Sequence, residues 1–336
     1  MKRLLCVLLA LCLLSACAAA PTVSPTTAAD SVPAATEATV ITEPTVSTQA
    51  KEALEGKKLL FIGNSYTYWG SVVINKSKDI LEQSKRSNDK GLFYQLCKEN
   101  GIDVSVTNWV FGNHDLTDIM SHECQDSASS CVGKDHMAYF DDPAFDYVAI
   151  QLYVEPEYEG DLVVHLQPTM DFFRAANPDV KFLLLVPHMT YVKKYAWRDD
   201  IAAAAEAGIT VVNWGAMLDD IVNKQVEVPG ATQQYFMGSF VISRSEKDGH
   251  HQNLLVGYLT ALMVYCAITG ESAVGQPYDF ADDTSIHPNF DMEAFREEYY
   301  THEPYTNFVE IYRSESDMLG LQQLTDRYLA QYNGGN

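Results

Sequence analysis

Four apolar residues in succession, Leu59-Leu60-Phe61-Ile62, stop abruptly at Gly63-Asn64-Ser65. A run with no polar position has no face to give to water, so it reads as a strand covered on both sides. Lys181 to Pro187, with Phe182-Leu183-Leu184-Leu185-Val186 at its centre, repeats the pattern and is the strongest strand signal in the chain. Val104 to Phe111, Phe145 to Gln151 and Ile209 to Asn213 supply three more strand segments. Between them lie helical stretches: Gly91–Asn100, Leu162–Ala176, Tyr195–Ala207, Ala216–Asn223 and the long apolar Asn253–Thr269, which Gly270 closes. Alternating strands and helices make parallel sheets whose two faces are buried by the crossovers. The expected fold class is therefore α/β: a flavodoxin-like three-layer α/β/α sandwich around a mainly parallel five-stranded sheet.

In open sheets of this kind, ligands bind beyond the carboxyl ends of the strands. Ser65 sits just past the end of the first strand, where a nucleophilic hydroxyl would be placed. Gly-Asn-Ser also reads as an ordinary turn and helix cap, since all three residue types favour such positions for local backbone reasons. The chemical reading gains weight from Asp248-Gly249-His250-His251-Gln252-Asn253, immediately before the last long apolar helix. Serine is a poor nucleophile until an imidazole takes its proton, and that imidazole needs a carboxylate to fix its tautomer and stabilise its charge. Asp248 and His251, three residues apart, can be held together by one turn.

Gly63-Asn64-Ser65 after the first strand and Asp248-x-x-His251 near the end resemble blocks I and V of the SGNH (GDSL-like) hydrolases. The resemblance covers roughly residues 57–270 as an order of motifs, and it implies a Ser65 nucleophile with His251 as base and Asp248 as its acid. It further implies an oxyanion hole from the Ser65 N–H, a block II glycine N–H matched in position by Gly112, and a block III asparagine. Here the chain departs from the pattern. The Gly-x-Asn-Asp of block III is absent, and the third strand runs into Ile150-Gln151-Leu152-Tyr153. Gln151 carries the same amide donor on a longer arm and is the natural substitute, with Asn113 in reserve. Gly112 reads equally as a turn glycine and Gln151 as a polar strand end. Asn64 replaces the aspartate of the Gly-Asp-Ser form, a side chain that mainly supports the turn. A branch with Gly-Asn-Ser in block I and Asp-Gly-x-His-x-Asn in block V looks closer still.

His250 adds a third candidate metal ligand beside Asp248 and His251. Zinc sites usually recruit from several elements, however, and no His-Glu-x-x-His occurs, so no metal and no cofactor are expected. His114, His122, His136, His188 and His287 are scattered singly and read as structural. Trp69, Trp109, Tyr153 and Trp214 lie near strand ends, where they could stack on sugar rings or serve as core and rim aromatics.

Residues 1–16 have the layout of a secretory leader, with Lys2 and Arg3 before an apolar run from Leu4 to Leu14. Leu14-Ser15-Ala16-Cys17 resembles a bacterial lipobox, which implies cleavage before Cys17 and lipidation of its thiol. A lipid-tethered, extracytoplasmic protein is the expectation, anchored to the cell membrane rather than spanning it. Residues 17–54, rich in Ala, Thr and Pro and free of aromatics, read as a disordered spacer. The hydrolase domain is expected over 55–275, and an acidic, aromatic extension over 276–336. Loss of Lys2 and Arg3 takes the formal charge from −22 to −24, which argues against nucleic acid as a partner. Cys124 and Cys131 could close a small disulfide ring, whereas Cys97 and Cys266 lie in apolar helical contexts as buried thiols.

The expected activity is that of a surface-anchored serine esterase acting on an acylated carbohydrate or another small ester, with O-deacetylation of a glycan as the substrate guess by analogy. Two rivals stand beside it. One is a glycan- or solute-binding lipoprotein on the same scaffold, which would need neither the serine nor the Asp–His pair. The other is a phosphoryl or sulfuryl hydrolase, for which no basic cluster accompanies the motifs.

Overall fold

A computed structural model describes residues 47–73, 91–110, 116, 142–152, 162–188, 197–241, 251–282 and 308–334. Cys17, Gly112, Asn113, Tyr153, Asp248, His250 and the Cys124/Cys131 pair lie outside the described residues.

The strands are β1 (Lys58–Gly63), β2 (Ser105–Val110), β3 (Tyr147–Gln151), β4 (Lys181–Leu185) and β5 (Thr210–Val212). All neighbours pair in parallel, in the order β2-β1-β3-β4-β5. This is the flavodoxin-like doubly wound order, in which the chain reverses direction across the sheet beside β1, leaving a crevice between the carboxyl ends of β1 and β3. Ile62 pairs with Ile150, so those two ends are level.

Alternation along each strand divides the core into two layers. Leu59, Phe61, Ala149, Leu183 and Val212 face one apolar cluster, shared with the helices Thr48–Leu54, Leu92–Glu99, Trp214–Val222, Leu254–Thr269 and Glu315–Asn333. Leu60, Ile62, Val148, Ile150, Leu184 and Val211 face the other, shared with the helices Leu162–Ala176 and Trp197–Glu206. Helices on both faces of the sheet complete the three layers.

The Leu254–Thr269 helix is apolar all round and buried over Leu254–Cys266. Helices of that kind belong in a protein interior or a membrane. Here the interior is supplied by the helices Leu92–Glu99, Glu315–Asn333 and Thr48–Leu54, all of which pack on it. Among the described residues no helix is long and apolar enough to cross a membrane. Asn253 caps its start, accepting from the Val256 N–H at 3.2 Å, and Gly270 ends it in the left-handed region at φ 71°.

The ordered domain begins earlier than the expected boundary at residue 55. Thr48–Leu54 is a helix capped by Ser47, and its Ala50 and Leu54 are fully buried. The spacer composition hid it because two apolar side chains on one turn suffice to dock so short a helix. Cys97 and Cys266 are buried free thiols, and burial pushes both pKa values up. They stay protonated at neutral pH and offer no thiolate nucleophile.

The last helix, Glu315–Asn333, is tied to the sheet through the Asn333 side chain. It accepts from the Val211 N–H and donates to the Val211 carbonyl, both at 2.8 Å. Strand β5 is an edge, and this amide occupies backbone groups that would otherwise be open to another strand. At the other end, buried Asp317 gathers the Thr232 N–H at 3.1 Å, the Tyr235 hydroxyl at 2.8 Å, the Ser314 hydroxyl at 2.5 Å and the Thr232 hydroxyl. Burial works to raise its pKa, but the hydrogen bonds from Ser314, Thr232 and Tyr235 outweigh it and hold the carboxyl below its ordinary value. A carboxyl with a depressed folded-state pKa contributes stability that is present above its unfolded pKa and lost as pH falls through the folded one. Asp317→Asn is therefore expected to cost about 2 kcal/mol at neutral pH, with a flatter acid limb in melting temperature against pH than wild type. Thermal melts from pH 7 to 2 check this, and parallel curves for the two proteins would refute it.

Candidate active site

The first half of the site is the turn that leaves β1. Asn64 caps the four-residue helix Ser65–Tyr68, its Oδ1 accepting from the Tyr66 N–H at 3.0 Å. The same Oδ1 accepts from Gln151 Nε2 at 2.7 Å, across the crevice from β3. Gln151 Oε1 in turn accepts from the Thr67 hydroxyl. Both residues flanking the Ser65–Tyr66 pair are thus clamped to the end of the neighbouring strand, and Ser65 itself is 8% exposed. One Gln151 amide proton is spent on Asn64. The second remains for another acceptor, since a primary amide carries two.

The second half precedes the long apolar helix. Gln252 makes an antiparallel bridge with Val241, the Asn253 N–H donates to the Phe240 carbonyl at 3.0 Å, and Asn253 Nδ2 donates to the Ser239 carbonyl at 2.8 Å. These bonds fix the backbone on the C-terminal side of His251, whose ring is half-buried.

The two halves meet through glycines. A Cβ on Gly257 would lie 1.6 Å from the Gly70 carbonyl oxygen, and one on Gly70 would lie 2.8 Å from Gly257 Cα. The Ser65 turn and the helix after His251 therefore touch backbone to backbone. Across this contact the His251 ring stands 4.8 Å from that of Trp69 with 30° between the planes, and 6.0 Å from that of Tyr66. The Trp69 N–H donates to the Ser65 carbonyl at 2.9 Å, one helical turn on. The His251 ring is thus in contact with the rings of Tyr66 and Trp69, which follow Ser65 by one and four residues.

His188 follows β4 and is buried, with its ring 5.8 Å from Tyr66 and 6.0 Å from Trp214. Trp109 and Trp214 are 0% and 1% exposed. Neither can offer a face to a sugar, because the two core layers already cover them; Trp69 is the half-buried indole at the site. Sequence reasoning missed the Gly70–Gly257 contact. Its one signal was a glycine inside an apolar helix, where alanine would be favoured by about 1 kcal/mol unless a neighbour needed the space. Among the described residues no group of three His, Cys, Asp or Glu side chains could hold a metal ion. A cleft of about 680 Å³ lies elsewhere, lined by Ile221, Val228, Tyr235 and Phe236 among others, none of which belongs to this constellation.

The chain matches no family model and no curated protein. Among solved structures it is similar to a variant of Axe2, an acetyl-xylooligosaccharide esterase from Geobacillus stearothermophilus, at 15% identity and a TM-score of 0.39, over 65% of this chain and 96% of that one. It is similar also to a family two carbohydrate esterase from Clostridium thermocellum in complex with cellohexaose, at 15% identity and a TM-score of 0.36, over 65% and 64% of the two chains. A candidate SGNH hydrolase from Slackia heliotrinireducens shows 14% identity and a TM-score of 0.33, over 65% and 100%. The assignment of fold rests on the strand order itself.

Proposed function

We propose that the chain is a serine hydrolase of ester bonds, an SGNH-like enzyme in which Ser65 is the nucleophile and His251 the general base. The observation that carries this is the contact of the His251 ring with Trp69, the C-cap of the helix whose first residue is Ser65, although 186 positions separate serine and histidine. The reaction follows from the groups present. Ser65 Oγ attacks the ester carbonyl as His251 takes its proton. The tetrahedral intermediate collapses, and His251 returns that proton to the departing alcohol. Water, deprotonated by the same imidazole, then attacks the acyl-serine; the second tetrahedral intermediate collapses to release the acid, and His251 returns the proton to Ser65 Oγ, restoring the free enzyme.

Asp248, three residues upstream, is proposed to orient the imidazole. The oxyanion is proposed to lie against the Ser65 N–H, the Gly112 N–H and the second amide proton of Gln151, whose first proton braces Asn64. A tethered protein at the cell surface, carried there by the leader and Cys17, would meet acylated glycans, so O-deacetylation of a carbohydrate is the proposed activity.

Fluorophosphonate labelling of the purified protein tests the proposal. Wild type is expected to be modified at Ser65, and Ser65→Ala, with an unchanged circular dichroism spectrum, is expected to take no label. Labelling that survives the alanine change, or never occurs in wild type, removes the hydrolase reading and leaves a binding protein on this scaffold.

A further inference from the structure

The Trp69 indole is too close to His251 to be only a wall of the site. Ring centroids 4.8 Å apart with 30° between planes describe a tilted ring pair, inside the distance of about 6 Å at which an aromatic face attracts a cation. Trp69 is itself fixed: it ends the Ser65–Tyr68 helix, its ring lies 6.5 Å from that of Tyr68 at 25°, and the next residue, Gly70, is pressed against Gly257.

We infer that Trp69 is a positioning residue for the base, holding the His251 ring in orientation and favouring its protonated form. This deepens the proposed function and rests on it for the role of His251, but the ring contact and its effect on protonation do not depend on any reaction. During ester cleavage the imidazole passes from neutral to cationic as it takes the serine proton. An indole face attracts imidazolium more strongly than imidazole, so the contact strengthens towards the transition state and lowers the barrier. Among the described residues the Tyr66 ring stands 6.0 Å from this ring, and the His188 imidazole, after β4, stands 5.8 Å from that of Tyr66. On its own segment Asp248 lies outside the described residues.

The test is a pair of titrations. The His251 pKa, followed by NMR in isotopically labelled protein, is expected to fall by about 0.5–1.5 units in Trp69→Leu and by less in Trp69→Phe. The sign is fixed by the chemistry. The indole raises the imidazole pKa, the neutral ring is the active base, and removal of the indole therefore moves the acid limb of kcat/KM to lower pH. The plateau of kcat is expected to drop about tenfold with KM little changed. Incorporation of fluorinated tryptophan, which weakens the π face at nearly constant shape, is expected to lower the same pKa and guards against misfolding of the leucine variant. An unchanged His251 pKa, or a loss of activity with no movement of the limb, overturns the inference. The NMR titration reads the ring contact even in a protein that turns over no ester, so its failure is distinct from a failure of Ser65 to take the phosphonate.

Discussion

Ser65→Ala and His251→Ala are each expected to lower ester turnover by about 10⁴- to 10⁶-fold, and the double variant is expected to be no slower than the worse single one. A hydroxyl and its proton acceptor act as a unit. Once either is gone, the other has no step to perform, so the two losses do not add. The residual rate would come from oxyanion donors and substrate positioning, which both variants keep. Steady-state kinetics on an aryl acetate measures all three proteins. Additive losses would mean that serine and histidine serve different steps or different sites, and the shared-site reading would fall. The proposed pairing of Ser65 with His251, whose ring packs against Trp69 four residues after the serine, is what makes a single unit the expectation.

Gly257→Ala is expected to be among the most damaging single-methyl changes at the glycines of the described residues. Its Cβ would lie 1.6 Å from the Gly70 carbonyl oxygen and 2.4 Å from the carbonyl carbon. Both are backbone atoms, so no side-chain rotation relieves the overlap. Either the buried helix slides away, opening the core layer it fills, or the Ser65 turn is pushed off its clamp to β3. The expected loss is about 3 kcal/mol of stability, at the upper end of ordinary overpacking. In the fraction that stays folded, a shift of about 1 Å between nucleophile and base is expected to slow phosphonylation of Ser65 by about a hundredfold. Gly56→Ala is the control. Unlike Gly257 it carries a positive φ, 70°, but nothing lies within 4 Å of its added methyl, so it should lose about 1 kcal/mol and keep full labelling. Wild-type melting and labelling rates in Gly257→Ala would show that the two backbones are not in contact.

The sequence by itself determined that this chain builds a two-faced parallel sheet. Runs such as Leu59–Ile62 and Phe182–Val186 have no polar position, and the helices between them recur at the right lengths. Hydropathy and turn chemistry are local properties, and they also marked the end of β1 as a place for chemistry. They left the helix Thr48–Leu54 hidden, because docking depends on what lies opposite Ala50 and Leu54 and not on the composition around them. Gln151 was legible as a strand-end amide, but its bonds to Asn64 and Thr67 were not, since they depend on which strand lies beside β1.

Only the tertiary structure decided the order β2-β1-β3-β4-β5, the meeting of Gly70 with Gly257, and the choice of Trp69, rather than Trp109 or Trp214, as the ring against His251. The physical reason is common to all three. Each is a relation between surfaces distant along the chain, fixed by close packing that no periodicity or propensity within one segment encodes.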